Sequence, residues 1–157
     1  MSTFRVAKTF EVEYAHRLSK HPEKCRFPHG HRMKIEIVVR STGLDANDMV
    51  CDYKALKGLV ADLIDGLDHA MTLNANDPHR AELEAMSSRI IVFEGQDPTA
   101  EALAHRLFAQ IAARLRSNRE IVSPSGARYT LPTGIRLERV RVWETASSWA
   151  EYAEDDA

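Results

Sequence analysis

Two segments of this chain alternate with the period of a β-strand, and both place histidine on the face that is otherwise apolar. In the first, Phe4, Val6, Phe10, Val12, Tyr14 and His16 share one parity, while Thr3, Arg5, Thr9, Glu11, Glu13 and Arg17 take the other. In the second, His29, His31, Met33, Ile35, Ile37 and Val39 share one face and Gly30, Arg32, Lys34, Glu36 and Arg40 the other, with Val38 the apolar intruder. A period of two is the mark of a half-buried strand, because successive side chains point to opposite faces. Residues at i and i+2 therefore point the same way, so His29 and His31 stand side by side with ring nitrogens able to reach one ion. If the two strands pair as hairpin neighbours, His16 supplies a third ligand. Three neutral imidazoles with no fourth protein ligand form the pattern of a catalytic zinc site, which keeps one position open. Cys25, four residues before His29, carries the competing reading, a closed Cys-His₃ site. The imidazole set also suits iron, nickel or copper.

The rest of the chain reads as α+β. Leu56, Leu59, Val60, Leu63, Ile64 and Leu67 follow helical spacing over residues 52–67, with Asp52 as the N-cap. Residues 74–87 read as a loop with a helical turn near Ala81–Met86, and Arg89–Phe93 as a short strand. Asp97-Pro98 opens a second helix, with Pro98 at its first position and Leu103, Leu107, Ile111 and Leu115 as its stripe. Residues 117–134 read as a loop with a strand pairing at Tyr129–Leu131. Ile135–Glu144 is the last strand, and its parity slips between Leu137 and Val140, which predicts a bulge. The acidic end, from Glu151, reads as a frayed tail. Helices grouped against one face of an antiparallel sheet satisfy this order.

Composition narrows the function. Hydrophobic residues make up 44% of 157, enough for one core, and the whole of 1–157 reads as one domain. The 21 basic and 23 acidic residues give a net charge of −2, which argues against a nucleic-acid partner or an anionic membrane surface. No apolar run approaches the roughly 18 residues of a membrane span. The opening lacks a basic region followed by an apolar stretch, and the two cysteines, Cys25 and Cys51, suit a reducing compartment, so the expected location is the cytoplasm.

Several side chains carry candidate chemistry. Cys25 lies between Lys24 and Arg26, cations that favour thiolate; Cys51, in an apolar context, reads as packing. Asp68 directly precedes His69. An Asp beside a His can orient the ring for acid–base work, although a histidine serving the helix C-terminus explains the pair equally. Glu144 shares the face of Val140 and Val142, where a carboxylate needs a partner: either an internal cation or an amidine-like donor pair on a ligand. Thr99 and Glu101 are explained by capping and the helix dipole alone.

Taken in order, Ala15-His16-Arg17-Leu18, Lys24-Cys25, His29-Gly30-His31, Met49–Lys57, Leu67-Asp68-His69, Leu73-Asn74, Pro98-Thr99-Ala100-Glu101 and Trp143-Glu144-Thr145 resemble the motifs of the 6-pyruvoyltetrahydropterin synthase and 6-carboxytetrahydropterin synthase family. The resemblance spans about residues 7 to 152. It departs at Asp48, where the family has Gly, and at Ala102, where it has Asn. It implies the tunnelling fold: a four-stranded antiparallel sheet with two helices on one face. Copies join their sheets into a barrel, and two trimers form a homohexamer. Against that pattern, residues 75–97 and 117–134 are loop insertions and 153–157 a tail. The resemblance further implies zinc on His16, His29 and His31, Cys25 as general base, and Asp68 with His69 as the acid–base partner from a neighbouring subunit. Glu144 would anchor the pterin substrate, with Thr99 and Glu101 near that pocket. The spacing of Cys25 to His29 resembles the bacterial branch, which converts 7,8-dihydroneopterin triphosphate to 6-carboxy-5,6,7,8-tetrahydropterin for queuosine and other deazapurines. The alternatives are a 6-pyruvoyltetrahydropterin synthase and a zinc-stabilised pterin-binding module without turnover.

Overall fold

The computed structural model describes residues 2–154. In chain order it contains β1 (Phe4–His16), a 3-10 turn (Lys24–Arg26), β2 (His29–Ser41), α1 (Tyr53–Leu67), β3 (Ala70–Asn74), α2 (Arg80–Met86), β4 (Ile90–Phe93), α3 (Ala100–Ser117), β5 (Glu120–Val122), β6 (Arg128–Thr130), β7 (Arg136–Thr145) and β8 (Ser148–Ala153). No helix among the described residues is long and apolar enough to cross a membrane.

The two alternating segments form a long antiparallel pair, with Tyr14 opposite His31 and His16 opposite His29. β7 pairs antiparallel with β2, and β8 with β7. The sheet has six strands, in the order β4-β3-β1-β2-β7-β8, not the four expected. Four of them, β1, β2, β7 and β8, run antiparallel each to the next; β3 and β4 add in parallel at the edge of β1. β3 escapes sequence reading because five residues, four of them buried, show no alternation. β8 takes in residues expected in the tail: Glu151 is held by Arg141 at 2.7 Å and Arg139 at 3.2 Å. Residues 155–157 lie outside the described residues. The two long connections also carry structure: α2 and β4 lie within 75–97, and the β5–β6 hairpin lies within 117–134.

α1 packs over β1 and α3 over β7 and β8, burying Leu56, Leu59, Leu103, Leu107 and Ile111 against Met33, Ile35, Ile37, Val140 and Val142. Asp52 caps α1 by accepting from the Lys54 amide at 2.7 Å. α3 starts two residues later than expected. Thr99 is its cap, accepting from the Ala102 amide, so Pro98 precedes the cap. Asp48, at the position where the resemblance expects Gly, holds φ at 61°, a left-handed conformation that Gly adopts freely. The predicted bulge is present. Val38 pairs with Arg139 and Val39 with Leu137, leaving Glu138 as the extra residue. A second irregularity follows: Trp143 pairs with Trp149 and Thr145 with Ser148, leaving Glu144 unpaired.

Candidate metal centre and active site

The register of β1 and β2 brings His16, His29 and His31 together, with one ligand atom from each lying within 4.8 Å of the others. Ring centroids are 4.5 to 5.2 Å apart, and the rings meet edge to face. Cys25 lies outside this cluster, in the 3-10 turn before β2, so the closed Cys-His₃ arrangement is not formed.

The tautomers of two rings follow from their neighbours. His16 Nδ1 lies 2.8 Å from the Pro98 carbonyl, and His29 Nδ1 lies 2.7 Å from the Phe27 carbonyl. A carbonyl can only accept, so both Nδ1 atoms carry hydrogen and donate. In the neutral rings both Nε2 atoms then carry the lone pairs, and they face each other at 3.0 Å. Two lone pairs at that distance repel unless a cation lies between them. Burial disfavours the proton for this purpose: His16 is 1% exposed, and desolvation, opposed only in part by the Pro98 carbonyl, pushes its pKa down to about 4. Neutral rings, oriented by carbonyl acceptors behind them, are the state in which imidazole binds a metal, and the donor set fits one.

The other predicted residues lie at varying distances from the histidines. The unpaired position in β7 brings Glu144 Oε1 to 3.8 Å from His16 Nε2; turning a side chain out of register is a common use of a bulge. Tyr14 stacks edge-on to His16 at 5.7 Å and accepts a hydrogen bond from Thr72 Oγ1 at 2.7 Å. Asp68 and His69 form the expected pair, Asp68 Oδ2 to His69 Nδ1 at 2.9 Å. Asp68 Oδ1 also accepts from the Glu13 amide, and this bond, with the His69 contact, holds its pKa below the ordinary carboxylate value. His69 has φ 58° and donates its amide to the Glu13 carbonyl at 2.6 Å. The pair thus sits on β1 at the point where β3 joins it. His69 and His31 border one cavity of about 370 Å³ with Glu13, Ala15, Gly30 and Arg32. Thr99 and Glu101 lie in the first turn of α3, where Thr99 is engaged as the cap. Cys51 is buried, and desolvation pushes its thiol up to about 11, so it is packing, as expected. A larger cavity, about 630 Å³, lies between α1 and the β5–β6 hairpin and includes none of these residues.

Sequence reasoning missed the supports of this arrangement. Arg17 Nε donates to Asp77 at 2.8 Å. Asp97 accepts from Ser19 Oγ at 2.6 Å, Lys20 N–H at 2.8 Å and Asn74 Nδ2 at 3.0 Å. Arg17 and Asp77 are 60 residues apart and Ser19 and Asp97 are 78 apart, and no local spacing announces such pairs.

Comparisons with known proteins bear on the family and the fold. The model of the family described as 6-pyruvoyl tetrahydropterin synthase matches residues 5–155. A 6-carboxy-5,6,7,8-tetrahydropterin synthase of Aquifex aeolicus is 30% identical, over 97% of this chain and 99% of its own length. One from Rickettsia conorii is 31% identical, over 71% of this chain and 82% of its own. Among solved structures, an uncharacterised protein of Wolinella succinogenes superposes with a TM-score of 0.75 at 21% identity, covering 99% of this chain and 100% of that one. The 6-pyruvoyl tetrahydropterin synthase of Caenorhabditis elegans gives 0.64 at 19%, covering 99% and 98%.

Proposed function

The chain belongs to the 6-pyruvoyl tetrahydropterin synthase family, and on that premise we propose that it is a zinc-dependent lyase of pterin biosynthesis. Its substrate would be 7,8-dihydroneopterin triphosphate. With one water, this yields 6-carboxy-5,6,7,8-tetrahydropterin, acetaldehyde and triphosphate. The observation that carries the reading is the histidine trio, with His16 and His29 locked in the metal-binding tautomer. The relatives at 30% and 31% identity, both named as carboxy-forming enzymes, favour that product over the pyruvoyl one.

Each residue has a role in this reading. A zinc ion on His16, His29 and His31 would supply a Lewis acid and a template for the side-chain oxygens of the substrate. Cys25, as thiolate, takes the proton from the substrate side chain. His69, oriented by Asp68, exchanges a proton with the side-chain oxygens, as a positioned imidazole can. Glu144 receives the amidine-like edge of the pterin with two carboxylate oxygens, and Thr99 and Glu101 border that end of the pocket. Asp68–His69 serves the centre of a neighbouring copy. The support is its position: the His69 side chain is 71% exposed, at the end of the stretch of β1, Phe4–Val12, that no strand among the described residues covers on that side. Among the described residues the sheet ends in β4 on one side and β8 on the other, and the uncovered stretch of β1 together with the edge of β8 would let copies add edge to edge into the barrel of a homo-oligomer acting in the cytoplasm.

The test is product analysis by mass spectrometry of zinc-loaded protein given 7,8-dihydroneopterin triphosphate, beside a chelator-treated control. The carboxy product with acetaldehyde, absent after chelation, is expected. A pyruvoyl product would move the chain to the other branch. Substrate bound but unchanged in both samples would leave a pterin-binding module.

A further inference from the structure

The turn that carries Cys25 has little regular structure to hold it. It spans residues 17–28, between β1 and β2, and contains only the 3-10 turn Lys24–Arg26. Its shape is fixed from the segment 75–97, through two buried carboxylates near the ends of that segment. Asp77, 5% exposed, accepts from Arg17 Nε, and the same guanidinium donates through Nη1 to the carbonyl of Arg26, the residue after Cys25. Asp97, 8% exposed, takes the Ser19 hydroxyl and the Lys20 amide. Between these anchors the Leu18 amide closes onto the carbonyl of Cys25 itself at 3.0 Å. The two acids share a mount: Asn74 donates its side-chain amide to Asp97 and accepts the Asp77 amide on its carbonyl. Asp77 is further aligned by the His79 amide at 2.8 Å.

From this connectivity we infer that Arg17 and Asp77 are a positioning pair that holds the Cys25 turn against the histidine centre, with segment 75–97 as its mount. A planar guanidinium donates in two directions at fixed angles, so it transmits the location of one acceptor to the other. Arg17 directly follows His16, so the clamp starts from the residue beside one histidine and ends on the residue beside the cysteine. Asp77 reaches the site through Arg17, whose guanidinium bridges it to the Arg26 carbonyl. A base has to lie within hydrogen-bond distance of the proton it removes, and a displacement of about 1 Å costs on the order of a hundredfold in rate. A clamp of this kind therefore matters for turnover far more than for binding.

The inference rests on Cys25 being the base, and the experiment separates the two. Two variants are compared with the zinc-loaded wild type: Asp77→Asn, which removes the charge, and Arg17→Lys, which keeps the charge pair but replaces the two-way fork with a single ammonium. Metal content, circular dichroism, kcat and KM are measured, together with the rate at which iodoacetamide labels Cys25, read by peptide mass spectrometry with buried Cys51 as internal control. The expected result is full metal content and fold in Arg17→Lys, with KM within about twofold, kcat down at least about tenfold and Cys25 labelled several-fold faster. Asp77→Asn should shift labelling and kcat in the same direction. Unchanged labelling in both variants overturns the inference, as does parallel loss of fold or metal, which would assign the pair to general stability. If the wild type shows no turnover, the proposed function fails, while the labelling rates still decide whether the pair positions the turn.

Discussion

At the scale of single residues, the site separates groups that hold an ion from groups that would move a proton. His16 and His29 spend one nitrogen each on a carbonyl and keep the other bare, while Cys25 stands outside the ligand cluster. Cys25→Ala is therefore expected to retain metal at wild-type stoichiometry and lose turnover by about 10²- to 10⁴-fold, the usual range for a general base. Metal analysis beside a turnover assay checks it, and loss of metal would make Cys25 a ligand. The histidines were legible because strand parity places side chains without reference to anything distant. The carbonyls of Pro98 and Phe27 were not, since a backbone acceptor has no residue type to read. Glu144 was legible as a misplaced carboxylate; the irregularity that turns it toward His16 was not, because Trp143 to Thr145 show no slip of parity in the sequence.

At the scale of elements, two joints invite measurement. Gly58 of α1 lies under the β5–β6 hairpin so closely that an added Cβ would stand 2.3 Å from Ile121 Cγ2. Gly58→Ala should lower stability by about 1–3 kcal/mol through overpacking, despite the gain in helix propensity of about 1 kcal/mol. Adding Ile121→Ala should recover part of the loss, and denaturant titration of the single and double variants reads the coupling. Asp97 ties β3 and the loop after β1 to the start of α3. Burial raises its pKa, but the Ser19 hydroxyl, the Lys20 amide and the Asn74 amide outweigh this and hold the carboxyl below its ordinary value. A carboxylate depressed on folding stabilises the native state above its unfolded pKa of roughly 3.9, and that stability is lost as pH falls through the lower folded value. Asp97→Asn should therefore cost about 2–3 kcal/mol near neutral pH, and the difference in Tm from wild type should shrink as pH is lowered through the acid range. The long elements, β1, β2, α1, α3 and β7, could be read from their periods because each presents one buried face over ten residues or more. β3 and β8 could not: one is too short and buried to alternate, and the other hides its pairing behind Glu151, whose partners Arg139 and Arg141 lie on another strand.

At the scale of the whole molecule, the proposed acid–base pair sits where β3 joins β1, beside the stretch of β1 that β3 does not cover. If copies close into a barrel by joining the free stretch of β1 to β8, sedimentation should give a multiple of 17.7 kDa. Mixing Cys25→Ala with His69→Ala after reversible dissociation should then restore part of the activity that each variant lacks alone, since some sites would receive an intact cysteine from one copy and an intact histidine from another. No recovery in mixed oligomers would place both groups in one chain. This level was the least legible from composition or period, because an edge is defined by the strand that is absent beside it.

β7 holds two unpaired residues, Glu138 and Glu144, within seven positions, and neither is idle. Glu138 gathers Arg5 and Arg139, and Glu144 faces His16. The strand therefore carries one residue more than β2 requires and one more than β8 requires. Its vulnerability lies in counting more than in chemistry. A single-codon deletion between 143 and 145 would leave every hydrophobic residue of the core in the gene and still draw Glu144 back into the ladder. In a library of random variants, this strand should accept many substitutions and almost no changes of length.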